Sequence, residues 1–154
     1  MKPLDTTVEE VLRLAIQDEV DTRVYYQKMA ERAASPAVRT RMLQLSDGEL
    51  VHRAKLERKY RETIHQAPPD PLPMTVELPY DLVKLDMRHA LKHALERERE
   101  SESNFRFMAE RVPNTELGRL FMELAEIEWK HKTDLQAEYD ATASSDPDNF
   151  LNDI

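Results

Sequence analysis

An internal repeat limits what this chain can fold into more than any other feature. Adding 79 to positions in the first half lands, without a gap, on related residues in the second. Leu12 falls on Leu91, Ala15 on Ala94, Glu19 on Glu98, Met29-Ala30-Glu31-Arg32 on Met108-Ala109-Glu110-Arg111, Leu45 on Leu124, Glu49 on Glu128, His52 on His131 and Leu56 on Leu135. A fixed period of this kind marks one supersecondary unit used twice, here as two helical hairpins related by a pseudo-two-fold. Apolar agreement alone is weak support, since any two amphipathic hairpins can be slid into partial register. The repeated polar positions decide it.

Each unit reads as two helices. Thr7 and Glu10 have capping-box spacing ahead of Val8, Val11, Leu12, Ala15, Ile16, Tyr26, Met29 and Ala30, which predicts helix A over 7–34. Ser35 followed by Pro36 supplies an N-cap and a first-turn proline for helix B, 36–65. Asp81 serves as the N-cap of helix C, 82–111, and Asn114, after Pro113, as the cap of helix D, 114–142. Between B and C stand Pro68, Pro69, Pro71, Pro73 and Pro79, too many for a helix interior, so 66–81 is a connection. About fifteen extended residues at ~3.1 Å each reach roughly 45 Å, close to the length of a ~28-residue helix. The connection therefore has the length to cross the whole bundle and start helix C at the end opposite to where helix B stops. The expectation is an all-α four-helix bundle with one long B–C crossover, forming one domain over 1–143. An acidic tail over 144–154 follows, with Phe150, Leu151 and Ile154 available for docking.

Composition narrows the function classes. The 154 residues carry a formal charge of −8, so there is no basic field to neutralise nucleic-acid phosphates or an anionic membrane. A small cation or a basic partner suits the chain better. The absence of cysteine excludes disulfides, thiolate zinc, Fe–S clusters and cysteine nucleophiles. No apolar run is long enough to span a membrane, and the opening residues lack a secretory layout, so the expected location is the cytosol.

The repeated polar residues carry the chemistry. Glu19 lies on the core stripe between Ile16 and Tyr26, and Glu98 between Leu95 and Phe105. Glu49 with His52, and Glu128 with His131, interrupt the stripes of the other two helices. Four buried carboxylates and two buried imidazoles would be a severe desolvation problem in an ordinary core. Two divalent cations match four carboxylates in charge, and neutral imidazoles complete the ligand set. Each Glu-x-x-His pair puts both donors on one helix face, and the other two helices add one Glu each. Oxygen-rich ligation with one nitrogen per metal and no sulfur favours iron or manganese, and zinc fits the same donors without turnover. Glu19 and Glu98 are expected as terminal ligands, Glu49 and Glu128 as bridging ligands, and His52 and His131 as one ligand to each metal.

With these residues in place, the chain resembles the rubrerythrin branch of the ferritin-like di-iron superfamily from about Val8 to Tyr139. The resemblance rests on Glu19 followed by Tyr25-Tyr26, Glu49-x-x-His52, Glu98 followed by Phe105, and Glu128-x-x-His131. It implies two iron ions per bundle and Fe(II) oxidation with O2 or H2O2. It also implies a supporting catalytic role for Tyr26, donating a hydrogen bond to a ligand carboxylate. Two departures modify the expectation. No cysteine means no rubredoxin module, so electrons for peroxide reduction would come from a separate donor. Ser101 stands where such proteins tend to carry an additional helix-C glutamate, and Glu102 faces away. Both shift weight from peroxide reduction toward ferroxidase-type iron handling. The rival classes are a non-catalytic Zn- or Mn-binding helical protein and a metal-dependent hydroxylase.

Other features receive structural readings. His89 and His93, one turn apart among Arg88, Lys92 and Arg97, belong to a solvated face. The proline segment is a crossover rather than a ligand for proline-recognition domains. Phe107 and Trp129, outside the stripes, predict a homodimer or higher homo-oligomer.

Overall fold

The amphipathic stripes and their caps produce four helices: α1 (Val8–Glu31), α2 (Pro36–Ile64), α3 (Met87–Arg111) and α4 (Glu116–Ala143). This computed structural model describes residues 7–72, 78 and 84–143. The first two caps are those read from the sequence. Thr7 Oγ1 accepts from the Glu10 amide at 3.2 Å, and Ser35 Oγ accepts from the Val38 amide at 3.3 Å. Each satisfies an amide that the first helical turn leaves without a partner.

Three boundaries differ from expectation. Helix A ends at Glu31 rather than 34, and helix C begins at Met87 rather than 82, for one shared reason. The Leu85 amide donates to the Arg32 carbonyl and the Leu85 carbonyl accepts from the Ala34 amide, both at 2.8 Å. This one-residue parallel bridge, Ala33 with Leu85, uses backbone groups that a longer helix would need. Asp86 then caps α3, its carboxylate accepting from the His89 amide at 2.8 Å. The expected cap Asp81 lies outside the described residues. The third correction concerns Asn114, whose φ of 59° places it in the left-handed region and so unsuited to an N-cap. Thr115 caps α4 instead, its Oγ1 accepting from the Gly118 amide at 3.0 Å. The chain turns so tightly there that a Cβ on Gly118 would collide with the Val112 carbonyl oxygen.

The helices pair as two hairpins, α1 with α2 and α3 with α4. Lys59 near the end of α2 reaches Glu116 at the start of α4 (2.8 Å), while Arg41 early in α2 reaches Glu138 late in α4 (3.0 Å). The end of α2 and the start of α4 thus share one end of the bundle, and Leu85 sits with Ala33 at the other. The connection between α2 and α3 consequently runs the length of the molecule, which is the single-crossover topology. Gln17 on α1 holds it in passing: its amide donates to the Leu72 carbonyl (3.1 Å) and accepts from the Leu72 amide (2.8 Å). Asp18 and Arg97, which occupy the same position in the two repeats, pair between α1 and α3 at 3.2 Å.

The interior is divided by height. One apolar cluster gathers Leu12, Ile16, Leu56, Tyr60, Phe105, Phe121 and Leu124. The other gathers Tyr26, Met29, Met42, Leu91, Leu95 and Leu135. On every helix the buried polar residues fall between the two: Glu19 and Thr22, Ser46, Glu49 and His52, Glu98 and Ser101, and Glu128. Two dry cores thus enclose one charged layer, which places the site at mid-bundle. No described helix is long and apolar enough to cross a membrane.

Candidate metal centre

Each helix delivers its contribution to this layer from a rigid backbone. On α2, Glu49 and His52 are three residues apart and share a face, as do Glu128 and His131 on α4. Glu19 on α1 and Glu98 on α3 enter from the opposite side. Glu19, Glu49, His52, Glu98 and Glu128 are at most 3% exposed, whereas the His131 side chain is 37% exposed.

His52 is at the centre of the closest grouping. Its Nδ1 lies 3.0 Å from Glu128 Oε1 and 3.6 Å from both Glu19 Oε2 and Glu49 Oε2. Donor atoms of these four residues all fall within 4.8 Å of one another, and His52, Glu128 and His131 form a second such group. Glu128 belongs to both: one oxygen faces His52, and the other is 3.8 Å from His131 Nδ1. Ligand atoms held ~2.1 Å from one octahedral ion stand ~3 Å apart, so these donors are close enough to share a cation after a small adjustment. The two imidazoles stack, with centroids 5.8 Å apart and ring planes 11° from parallel. Glu98 joins neither group. It lies beside them, accepting a hydrogen bond from the Tyr26 hydroxyl at 3.1 Å through Oε1.

The hydrogen-bond inventory tests whether these residues suit a metal. Seven buried side-chain atoms among the described residues have no hydrogen-bond partner. Six belong to this layer: Glu19 Oε2, His52 Nδ1, Glu98 Oε2, both oxygens of Glu128, and His131 Nδ1; the seventh is Arg23 Nε. His52 and Glu128 approach closely, but off the direction a hydrogen bond requires. A buried polar atom left unpaired costs about 1–3 kcal/mol, and more when charged. Six together would be untenable in a purely structural core, whereas oxygen and imidazole nitrogen lone pairs converging on common points are what a cation needs. The donor set fits.

The electrostatics show how strained the layer is without one. Burial pushes the Glu19 carboxyl well above the usual carboxylate range, and the Glu49 carboxylate beside it pushes the same way. Burial acts to lower the His52 pKa, but the close carboxylates of Glu128, Glu19 and Glu49 outweigh it and push the value up to about 12. For Glu128 burial acts upward, yet His131 and His52 hold its carboxyl below the ordinary value. Burial thus favours the neutral form of Glu19, while the surrounding carboxylates favour the charged form of His52.

The remaining candidates separate from the site. Glu102 turns outward and binds Lys132 (2.7 Å) and Arg106 (2.8 Å), so it does not substitute for the additional glutamate, and Ser101 is buried in that place. His89 bonds Asp86 through Nδ1 at 2.7 Å on the surface, and His93 approaches Glu96 at 4.0 Å. Neither joins a metal-ligand group among the described residues. Trp129 is half-exposed rather than packed behind the site. Sequence reasoning missed the cavity of about 240 Å³ that opens onto this layer between α2 and α4, lined by Arg41, Gln44, Gly48, Glu49, Glu98, His131 and Asp134. The signal was a mismatch in the repeat, Gly48 against Ile127.

The comparisons with known proteins agree with this geometry. Residues 10–139 match the rubrerythrin family, and the chain belongs to it. A hypothetical protein from Pyrococcus furiosus has a similar solved structure, with a TM-score of 0.64 and 26% sequence identity over 90% of this chain and 92% of that one. No curated protein matches the chain in sequence. A rubrerythrin-family bundle with a buried His/Glu cluster able to hold one or more metal ions is thus established, and it supports an oxidoreductase role.

Proposed function

We propose that this bundle holds two iron ions and oxidises Fe(II) with O2 or H2O2. The observation that carries the proposal is the set of six unpartnered donor atoms converging in one buried layer. Glu19, Glu49, His52 and Glu128 would hold one ion and Glu98, Glu128 and His131 the other, with Glu49 as the second bridging candidate. The bound irons would supply the redox chemistry. The protein's part is to fix the donors on four rigid helices, wall the layer above and below with an apolar cluster, and manage protons. Metal loading must displace any proton that a ligating carboxyl or imidazole carries, so binding releases protons. Tyr26 positions Glu98 through its hydroxyl and adds no titrating charge, because burial raises its own pKa well above the phenolic range.

The cysteine-free composition leaves peroxide reduction dependent on a separate electron donor and favours ferroxidase-type handling. Manganese or zinc in the same donors, without turnover, is the reading that the ligand chemistry leaves as rival. The proposal includes one domain over 1–143 with 144–154 as a tail, action in the cytosol, and a homo-oligomer. Half-exposed Phe107 and Trp129 support the last of these. Anaerobic ferrous titration followed by O2 or H2O2 tests the function. Two Fe(II) bound per chain, with an absorption band of an oxo-bridged ferric pair after oxidation, is the expected result. A protein that binds zinc or manganese but leaves ferrous iron unoxidised would refute it.

A further inference from the structure

The repeat makes one asymmetry of the site visible. Gly48 immediately precedes Glu49 and falls, with the offset of 79, on Ile127, which immediately precedes Glu128. Gly48 lines the cavity between α2 and α4, on the second cluster's side of the charged layer. Ile127 is half-buried and packs against the first apolar cluster. A Cβ added to Gly48 would meet nothing within 4 Å. The cavity of about 240 Å³ occupies the space that an isoleucine would fill, and reaches Glu49, Glu98 and His131. The two histidines record the consequence: the His52 side chain is 4% exposed and that of His131 is 37% exposed.

Glycine inside a helix is disfavoured relative to alanine, so this gap is kept against local helix preference. Its walls choose the solute. Glu49 and Glu98 stand at the inner end and Asp134 at the mouth, while the Arg41 guanidinium is engaged by Glu138 (3.0 and 3.2 Å) and Gln44 (3.4 Å). At ~30 Å³ per water the cavity holds about eight waters, room for a small cation with much of its hydration shell. We propose that the gap at Gly48 is the route by which a divalent cation reaches the centre, arriving first at the His131 side. This rests on the metal-binding role proposed above and deepens it by assigning the access path to a residue that ligates nothing.

Cobalt(II) uptake by the full-length chain, followed by its visible absorption in stopped flow, and release to excess chelator test the path. The variants are Gly48→Ala and Gly48→Ile, the second copying the residue of the other repeat. Uptake should slow from wild type to Ala to Ile, by about tenfold at Ile, equivalent to ~1.4 kcal/mol in the barrier to access. Release should slow by the same factor, leaving cobalt affinity and stoichiometry unchanged, because a narrowed path hinders both directions equally. Gly48→Ala should also melt higher than wild type, so slow uptake in it cannot come from damage, and it carries the test if Gly48→Ile folds poorly. Wild-type rates in the variants, or slow uptake with faster release, would overturn the path. A wild-type protein that binds no cobalt would overturn the metal centre itself, and the path with it.

Discussion

Replacing Glu19 by Gln should change how the stability of the apo protein depends on pH. Glu19 is 1% exposed and its carboxyl is pushed well above 4.5, first by burial and then by Glu49. A folded-state pKa above the unfolded one means that folding binds a proton. The stability this provides is complete below about pH 4.5 and drains away as pH rises toward the folded value. One proton is worth ~1.4 kcal/mol for each pH unit over which the folded protein holds it and the unfolded chain does not. At ~2–4 °C per kcal/mol for a chain of about this size, that is roughly 3–6 °C in Tm per pH unit. Glutamine has the shape of the protonated acid and does not titrate. Thermal unfolding of chelator-treated wild type and Glu19→Gln at matched pH values should give curves that converge near pH 5 and separate upward, the variant being more stable. Asp18, pushed up to about 6 chiefly by burial, titrates in both proteins and cancels in the difference. His52 adds to the wild-type decline above about pH 6.5, because its raised value makes it lose stabilising charge from there to about 12. Parallel melting curves for the two proteins would refute the argument, since they would show that the Glu19 proton is not linked to folding.

Three further outcomes follow from particular contacts. Tyr26→Phe removes the hydroxyl that bonds Glu98 at 3.1 Å in a fully buried place. It should cost about 1.5–3 kcal/mol in the apo protein, measurable by denaturant titration; an unchanged midpoint would count against that bond. Glu128→Gln withdraws the carboxylate shared by both ligand groups, so metal content after loading, read by elemental analysis, should fall to near zero rather than by half. Gly118→Ala should destabilise the chain by about 1–3 kcal/mol, since its Cβ would meet backbone at Val112 rather than a movable side chain.

The long elements and the site residues were legible in the sequence because both follow from periodicity. A stripe recurring at three and four must be buried, and a glutamate on that stripe must be buried with it, so Glu19, Glu49, Glu98 and Glu128 could be assigned to the interior before any fold was known. The boundaries that failed were set by contacts distant in sequence. Nothing near Asp86 reveals that Leu85 pairs with the turn after α1, and it is that pairing which ends one helix and delays another. Asn114 and Thr115 are both acceptable caps by residue type, and the close approach of Gly118 to Val112 decides between them.

The sequence alone determined the helical class, the two-fold repeat and the six candidate ligand residues, because charge and hydrophobicity repeat with the helix period whatever the neighbours are. Tertiary structure decided how those donors are shared. Packing put His52 among three carboxylates, gave Glu128 to both groups and left Glu98 beside them, held by Tyr26. It also turned a single mismatch in the repeat, Gly48 against Ile127, into an opening on one side of the site. The physical reason is that a helix fixes the direction of a side chain, while the distance between two side chains on different helices depends on how closely the intervening residues let those helices approach.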